Sequence, residues 1–119
     1  TPGWYLPGGG IERAEPALEA ITRELVEEAG IQLTGTPKLF GFYSNHTIFP
    51  NDHVALYHVT HDMWTETTAT STGEIAEIRW VDPKDPPEGI TPGNRQRLLE
   101  MYAGAPVSPF WPPPKSNAQ

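Results

Sequence analysis

The sequence predicts a mixed α/β domain, and three observations carry that prediction. An apolar series at helical spacing closes on a glycine between residues 16 and 30, two runs at 38–44 and 53–60 have the aromatic and β-branched composition of strands, and a proline-opened helical stretch begins at Thr91. A chain of 119 residues with 37% hydrophobic content suffices for one domain with a modest core.

Residues Thr1 to Gly10 are rich in Gly and Pro around Trp4-Tyr5-Leu6 and read as a loop or strand end. Pro16, preceded by Glu15, suits a first helical turn, and Leu18, Ile21, Leu25 and Ala29 recur at helical spacing until Gly30 stops the helix. Lys38 to Ser44 (KLFGFYS) and His53 to Thr60 (HVALYHVT), bounded by Pro, Asn and Asp, are the first two strands; Ile75 to Val81 (IAEIRWV) is a third. Thr91-Pro92 opens a second helix that runs to about Tyr102, with Leu98, Leu99 and Tyr102 as its apolar contacts. Pro106 to Gln119 (PVSPFWPPPKSNAQ) is too proline-rich for either element, so the chain divides into a domain over 1–105 and an extended tail over 106–119, with Phe110 and Trp111 pinning the tail to the body.

Composition excludes several functions. The net charge of -7 argues against a nucleic-acid polymer as partner, because backbone binding needs a basic face that releases counterions. With no cysteine there is neither a disulfide framework nor a thiolate metal site, which leaves oxygen and imidazole chemistry. No apolar run approaches a membrane span and no signal peptide opens the chain, so the cytoplasm is the expected location.

The first helix carries the chemistry. At about 100° per residue, with Glu24 at zero, Glu28 falls near 40° and Glu27 near 300°, so three carboxylates share an arc of about 100°. Like charges so placed repel, and a cation would hold them together. Ala17 and Ala20 leave space on that sector, while Leu18, Ile21 and Leu25 face the core beside it. Arg23 stands one turn before Glu27 and restrains it. The run Gly8-Gly9-Gly10 lets backbone carbonyls approach an ion closely. Hard oxygen donors without His or Cys select Mg²⁺ or Mn²⁺.

These residues resemble the signature of the Nudix hydrolase family, G-x5-E-x7-R-E-U-x-E-E-x-G-U with U aliphatic. Gly9, Glu15, Arg23, Glu24, Leu25, Glu27, Glu28, Gly30 and Ile31 fill every position. Seven fixed identities would coincide by chance about once in a million chains of this size, given residue frequencies of about 7%, so the match is specific. The resemblance extends to Trp4-Tyr5-Leu6-Pro7-Gly8-Gly9 before the box and to Glu74-Ile75-Ala76-Glu77-Ile78-Arg79-Trp80 after it. It implies an α/β/α sandwich around a mixed sheet and hydrolysis of a nucleoside diphosphate linked to another moiety, with Mg²⁺ or Mn²⁺ as cofactor. It assigns the metal to Glu24, Glu27, Glu28 and the Gly8 carbonyl, with Gly9, Glu15 and Arg23 supporting the site. A distant carboxylate completes it: Glu74 first, Glu77 second. Metal ions that clamp a diphosphate neutralise developing charge and generate hydroxide near neutral pH, and a carboxylate of the cluster takes the proton.

Other candidates compete with structural roles. Trp4, Tyr43, Phe49 and Trp64 are able to stack on a base but also suit a core. His46, His53, His58 and His61 are possible bases or phosphate contacts beside strands. Arg13, Lys38, Arg95 and Arg97 are candidate phosphate contacts, with Arg95 and Arg97 equally suited to the last helix. No subfamily signature follows the box, so the substrate-binding residues and the nucleotide remain open. The family's sheet opens with one or two strands before the Leu-Pro-Gly-Gly segment. Roughly 20 to 40 residues are therefore expected before Thr1, two ordinary strands and a turn. An unpaired sheet edge invites association, a homodimer being one outcome. The alternative function is a non-catalytic nucleotide-sensing or protein-binding module that keeps the fold; an RNA-decapping role is disfavoured by the acidic balance.

Overall fold

The structure is a computed structural model that describes residues 3–70 and 77–114. The chain divides into two compact units. One comprises Pro7–Phe40 and Tyr57–Arg79; the other comprises Thr1–Leu6, Gly41–Leu56 and Trp80–Gln119.

In the first unit, helix α1 (Ala17–Glu24) begins after Pro16, whose extended backbone makes it the cap residue, and Glu19 places a negative charge in the first turn. From Leu25 to Ala29 the helix continues as a wider π-helical turn. The Gly30 N–H reaches the carbonyls of both Leu25 and Val26, and Gly30 turns out at φ 64° as the sequence predicts. Glycine is required here twice over, because a Cβ would also stand 2.6 Å from the Thr67 carbonyl oxygen. Ala20 and Leu25 are buried, whereas Leu18 is 38% exposed. The side of α1 read as open space therefore carries part of the core.

Strand β1 (Ile31–Leu33) follows at once and pairs antiparallel with β4 (Trp64–Glu66), Gln32 opposite Thr65. The Gly30 carbonyl accepts from the Thr67 N–H at 2.8 Å, which ties the end of α1 to this ladder. Neither strand was expected. Three residues are too few to show a period of two, and Trp64-Thr65-Glu66 is mostly polar.

Strands β2 (Lys38–Ser44) and β3 (His53–His58) pair with each other at the predicted places. The connection is closed by the Asn45 N–H on the Asp52 carbonyl at 2.9 Å. So short a connection forces antiparallel pairing. The predicted strand over 75–81 falls partly outside the described residues, and its described part, 77–81, belongs to no strand. Ile78, Trp80 and Val81 are 49%, 69% and 41% exposed, so no buried face fixes a register for it.

In the second unit, α2 (Pro92–Tyr102) starts with Thr91 as cap and Pro92 in the first turn, as predicted. Trp4 and Ile90 form a parallel bridge. The Leu6 N–H donates to Asn94 Oδ1 at 3.2 Å. The tail is held by a second parallel bridge, Ser44 to Phe110, with the Trp111 N–H on the Ser44 carbonyl at 2.8 Å. Antiparallel ladders and parallel bridges together with two helices make the mixed α/β class. Among the described residues no helix is long and apolar enough to cross a membrane.

The core of this second unit is ionic. Arg97, wholly buried, lies 4.0 Å from the Tyr43 ring centroid and 4.9 Å from that of Trp111. Its Nη2 donates to Glu100 Oε2 at 3.1 Å, and its Nη1 donates to the carbonyls of Phe110 and Trp111. The Tyr43 hydroxyl donates to Glu100 Oε1 at 3.0 Å, and burial followed by Glu100 pushes its pKa up to about 12. Gly93 is required beneath Trp111, whose indole Nε1 would collide with a Cβ there. Arg97 is thus a core residue rather than a phosphate contact, and Tyr43 is buried rather than free to stack on a base.

Candidate active site

The glycine run and α1 build one site within the first unit. Gly8 adopts φ 154°, and its N–H donates to Glu28 Oε1 at 3.0 Å. A Cβ on Gly9 would collide with the Glu24 carboxylate, so glycine at that position lets the loop lie directly on Glu24. Between loop and helix the chain turns at Glu12 to Glu15, where the Glu15 N–H donates to the Glu12 carbonyl at 3.0 Å and Ala14 takes a positive φ of 62°. The Glu12 N–H returns to Glu15 Oε1 at 2.9 Å.

Arg23 joins these parts. Its Nε and Nη2 donate to the two oxygens of Glu15 at 2.8 and 3.0 Å, the fork geometry that a guanidinium matches to a carboxylate. Its Nη2 also donates to the Gly10 carbonyl at 3.2 Å, and its Nη1 reaches Glu27 at 3.3 Å. The expected pairing of Arg23 with Glu27 is present, but Glu15 is the closer partner. The guanidinium holds the Glu15 carboxyl down at about 2, with the Glu12 backbone assisting, and Glu15 in turn raises the basicity of Arg23. Gly10 and Glu12 were not foreseen as parts of this network. A backbone carbonyl leaves no mark in a sequence, though the Glu12-x-x-Glu15 spacing is that of a turn.

Glu24 and Glu28 are placed differently. Burial first, then the charge of Glu28, holds the Glu24 carboxyl above its ordinary range. The two carboxylates stand together at the glycine loop, while Arg23 Nη1 lies 3.6 Å from Glu24 and draws Glu27 alongside. Among the described residues no group of three acidic or imidazole side chains is placed to hold a metal ion. The donor set nevertheless fits Mg²⁺ or Mn²⁺. Such an ion binds through one or two carboxylates and completes its shell with water and phosphate oxygens, and the repulsion between Glu24 and Glu28 is what a divalent cation relieves.

Of the two candidates for the distant carboxylate, Glu74 lies outside the described residues. Glu77 is exposed and pairs with Arg79 at 3.3 Å. Among the described residues, no hydrogen bond or ion pair joins it to Glu24, Glu27 or Glu28. His53 stacks on Phe42 and His46 packs near Phe110, both within the second unit. Neither belongs to the Arg23 network.

The NUDIX domain family matches residues 1–101. A Bacillus subtilis (strain 168) protein named "Putative 8-oxo-dGTP diphosphatase" is 30% identical over 105 residues, 88% of this chain and 67% of that protein. An RNA pyrophosphohydrolase of Dinoroseobacter shibae (strain DSM 16493 / NCIMB 14021 / DFL 12) is 30% identical over 117 residues, 85% of this chain and 73% of that protein. No solved structure matches. The chain belongs to the Nudix family and is a hydrolase of phosphoric anhydride bonds.

Proposed function

We propose that this Nudix hydrolase uses Mg²⁺ or Mn²⁺ to cleave the diphosphate linkage of a small nucleotide, a nucleoside diphosphate joined to another moiety, in the cytoplasm. One observation carries the reading. Glu24 and Glu28 meet at a loop whose Gly8 N–H binds one carboxylate and whose Gly9 has no side chain to block the other. Two acids pressed together in this way, with Glu24 raised in proton affinity by burial and by its neighbour, are poised to exchange a proton for a cation.

Glu24 and Glu28 would hold the cation, with Glu27 beside them and the Gly8 carbonyl as a further oxygen. When bound, the metal supplies charge neutralisation on the phosphates and a nucleophile near neutral pH. Arg23 fixes Glu27 and Glu15 in one geometry, so that Glu27, 39% exposed at its side chain, faces solvent without swinging freely. Gly9 keeps the loop close enough for phosphate oxygens to approach. A carboxylate of the cluster accepts the proton of the attacking water, and Glu74 supplies the distant acid.

The test is the formation of cleavage products (nucleoside phosphates, the partner phosphomonoester or pyrophosphate), separated by ion-exchange chromatography, from a panel of nucleotide sugars, dinucleoside polyphosphates, NADH, ADP-ribose, oxidised nucleoside triphosphates and a 5′-triphosphorylated RNA. Each is assayed with Mg²⁺, with Mn²⁺ and with EDTA. Metal-dependent turnover of a small nucleotide supports the reading. Turnover confined to the RNA would replace the substrate class, and no turnover of any member would favour a non-catalytic module.

A further inference from the structure

We propose that the second unit carries a binding site of its own for a small amphipathic anion, an apolar ring bearing a phosphate head. A cavity of about 360 Å³ lies between α2 and the segment before it, lined by Pro83, Lys84, Pro86, Arg95, Leu98, Leu99, Tyr102 and Ala103. That volume is in the range of small-molecule sites.

Its α2 wall is a single helical stripe. Arg95, Leu98, Leu99, Tyr102 and Ala103 are spaced by three and four residues and so share one face. Leu98 is buried, but Leu99 and Tyr102 remain 43% and 38% exposed. A helix that leaves large apolar side chains open along a concave wall has surface to offer a ligand. The opposite wall is stiff. Pro83 and Pro86 fix their own backbone φ angles, and the turn between them is closed by the Lys84 N–H on Asp82 Oδ1 at 2.9 Å and the Asp85 N–H on the Asp82 carbonyl at 2.9 Å. A wall already ordered in this way costs a ligand little conformational entropy.

The charge of the lining identifies the occupant. The chain has 15 acidic residues and 8 Lys and Arg, yet this cavity is lined by two cations and no carboxylate. Neither the Lys84 nor the Arg95 side chain has an ion pair or side-chain hydrogen bond among the described residues. Asp82 and Asp85, the acids flanking Lys84, belong to the turn rather than to the lining, and the Asp82 side chain is engaged there by the Lys84 N–H. A planar guanidinium and an ammonium beside an apolar floor match a phosphate attached to a ring: the head meets Arg95 and Lys84, and the ring covers Leu99 and Tyr102. A wholly polar anion would leave the floor bare, and a neutral ring would leave the cations unpaired.

Phenyl phosphate is the probe, added to the full chain in EDTA and followed by amide NMR shifts. Omitting the metal keeps the carboxylate site of the first unit from contributing, so this outcome is independent of the hydrolase reading. Saturable shifts at residues 83–86 and 95–103 in the millimolar range are expected. Inorganic phosphate and phenol should each bind about tenfold more weakly or worse. The exposed double variant Lys84→Gln/Arg95→Gln should lose about tenfold in affinity with its spectrum otherwise intact, and Leu99→Gln should also weaken binding. Absence of saturable shifts at these residues, equal binding of inorganic phosphate, or undiminished affinity in the folded double variant would each overturn the proposal.

Discussion

Arg23 and Arg97 each hold carboxylates, the first in the unit of the glycine loop and the second in the unit of α2, yet their surroundings differ. Arg97 and Glu100 are fully enclosed. Around them Tyr43, Gln96, Ser108 and the carbonyls of Phe110 and Trp111 add hydrogen bonds, while Arg97 Nε meets Glu100 Oε1 at 3.1 Å as an ion pair without a hydrogen bond. Arg23 is 26% exposed at its side chain, and Glu15, Glu24 and Glu27 around it are 14%, 12% and 39% exposed. A charge pair closed off from solvent on all sides is out of a ligand's reach and serves to hold the fold. A network open on one side keeps its carboxylates in register while leaving them reachable, which is what a cation site requires. Enclosure, rather than charge type, separates the arginine that holds the core from the one at the proposed cation site.

The largest expected effect breaks the enclosed side. Arg97→Met leaves the Glu100 carboxylate buried without its cation, and removing one partner of such a pair costs about 3–5 kcal/mol. Urea denaturation should show that loss. Arg97→Met/Glu100→Leu should be markedly more stable than the single variant, because the uncompensated charge is gone. Equal instability in both would show that packing around Tyr43 and Trp111, rather than the ion pair, sets the cost.

On the open side the effect moves from stability to turnover. Glu28→Gln preserves an acceptor for the Gly8 N–H but removes the charge, so turnover should fall by about 10²–10³. Its unfolding free energy should stay within about 0.5 kcal/mol of the parent. Arg23→Lys should be milder, about 10–100-fold in turnover, since an ammonium cannot grip both oxygens of Glu15 and also reach Glu27. A destabilisation by Arg23→Lys as large as that by Arg97→Met would erase the distinction between the two sites.

The smallest effects are in pH dependence, and their signs differ within the open network. Glu15, with its pKa lowered to about 2 by Arg23, contributes stability that is present above its ordinary value of 4.5 and lost as pH falls toward 2. Carboxyl NMR should place its midpoint near the lower value. Glu24 is raised, so its contribution is present at low pH and is lost as pH rises through its folded value. Glu24→Gln should therefore raise Tm slightly in metal-free neutral buffer and do so less in acid.

Much of the candidate site was legible before any coordinates, because its residues are local: Gly9, Glu15, Arg23, Glu24, Glu27 and Glu28 lie within 20 positions, and helical spacing puts the last three on one sector. The widened turn over Leu25–Ala29 was not legible, since i→i+5 bonding has no distinct residue pattern. Strands β2 and β3 were found from composition. Strands β1 and β4 were not, being three residues each and fixed by tertiary pairing. Arg97 was misread for a similar reason. Its role depends on Tyr43 and Trp111, which are far away in sequence, whereas Phe110 and Trp111 themselves announced that the tail is held.

Titration with Mn²⁺, followed by the electron paramagnetic resonance signal of the free ion, reads the Glu24 and Glu28 pair most directly. The parent chain should take up the ion saturably, and Glu24→Gln/Glu28→Gln, shown to be folded by circular dichroism, should lose that uptake. Undiminished binding of Mn²⁺ by the folded double variant would contradict the assignment of the cation to these carboxylates.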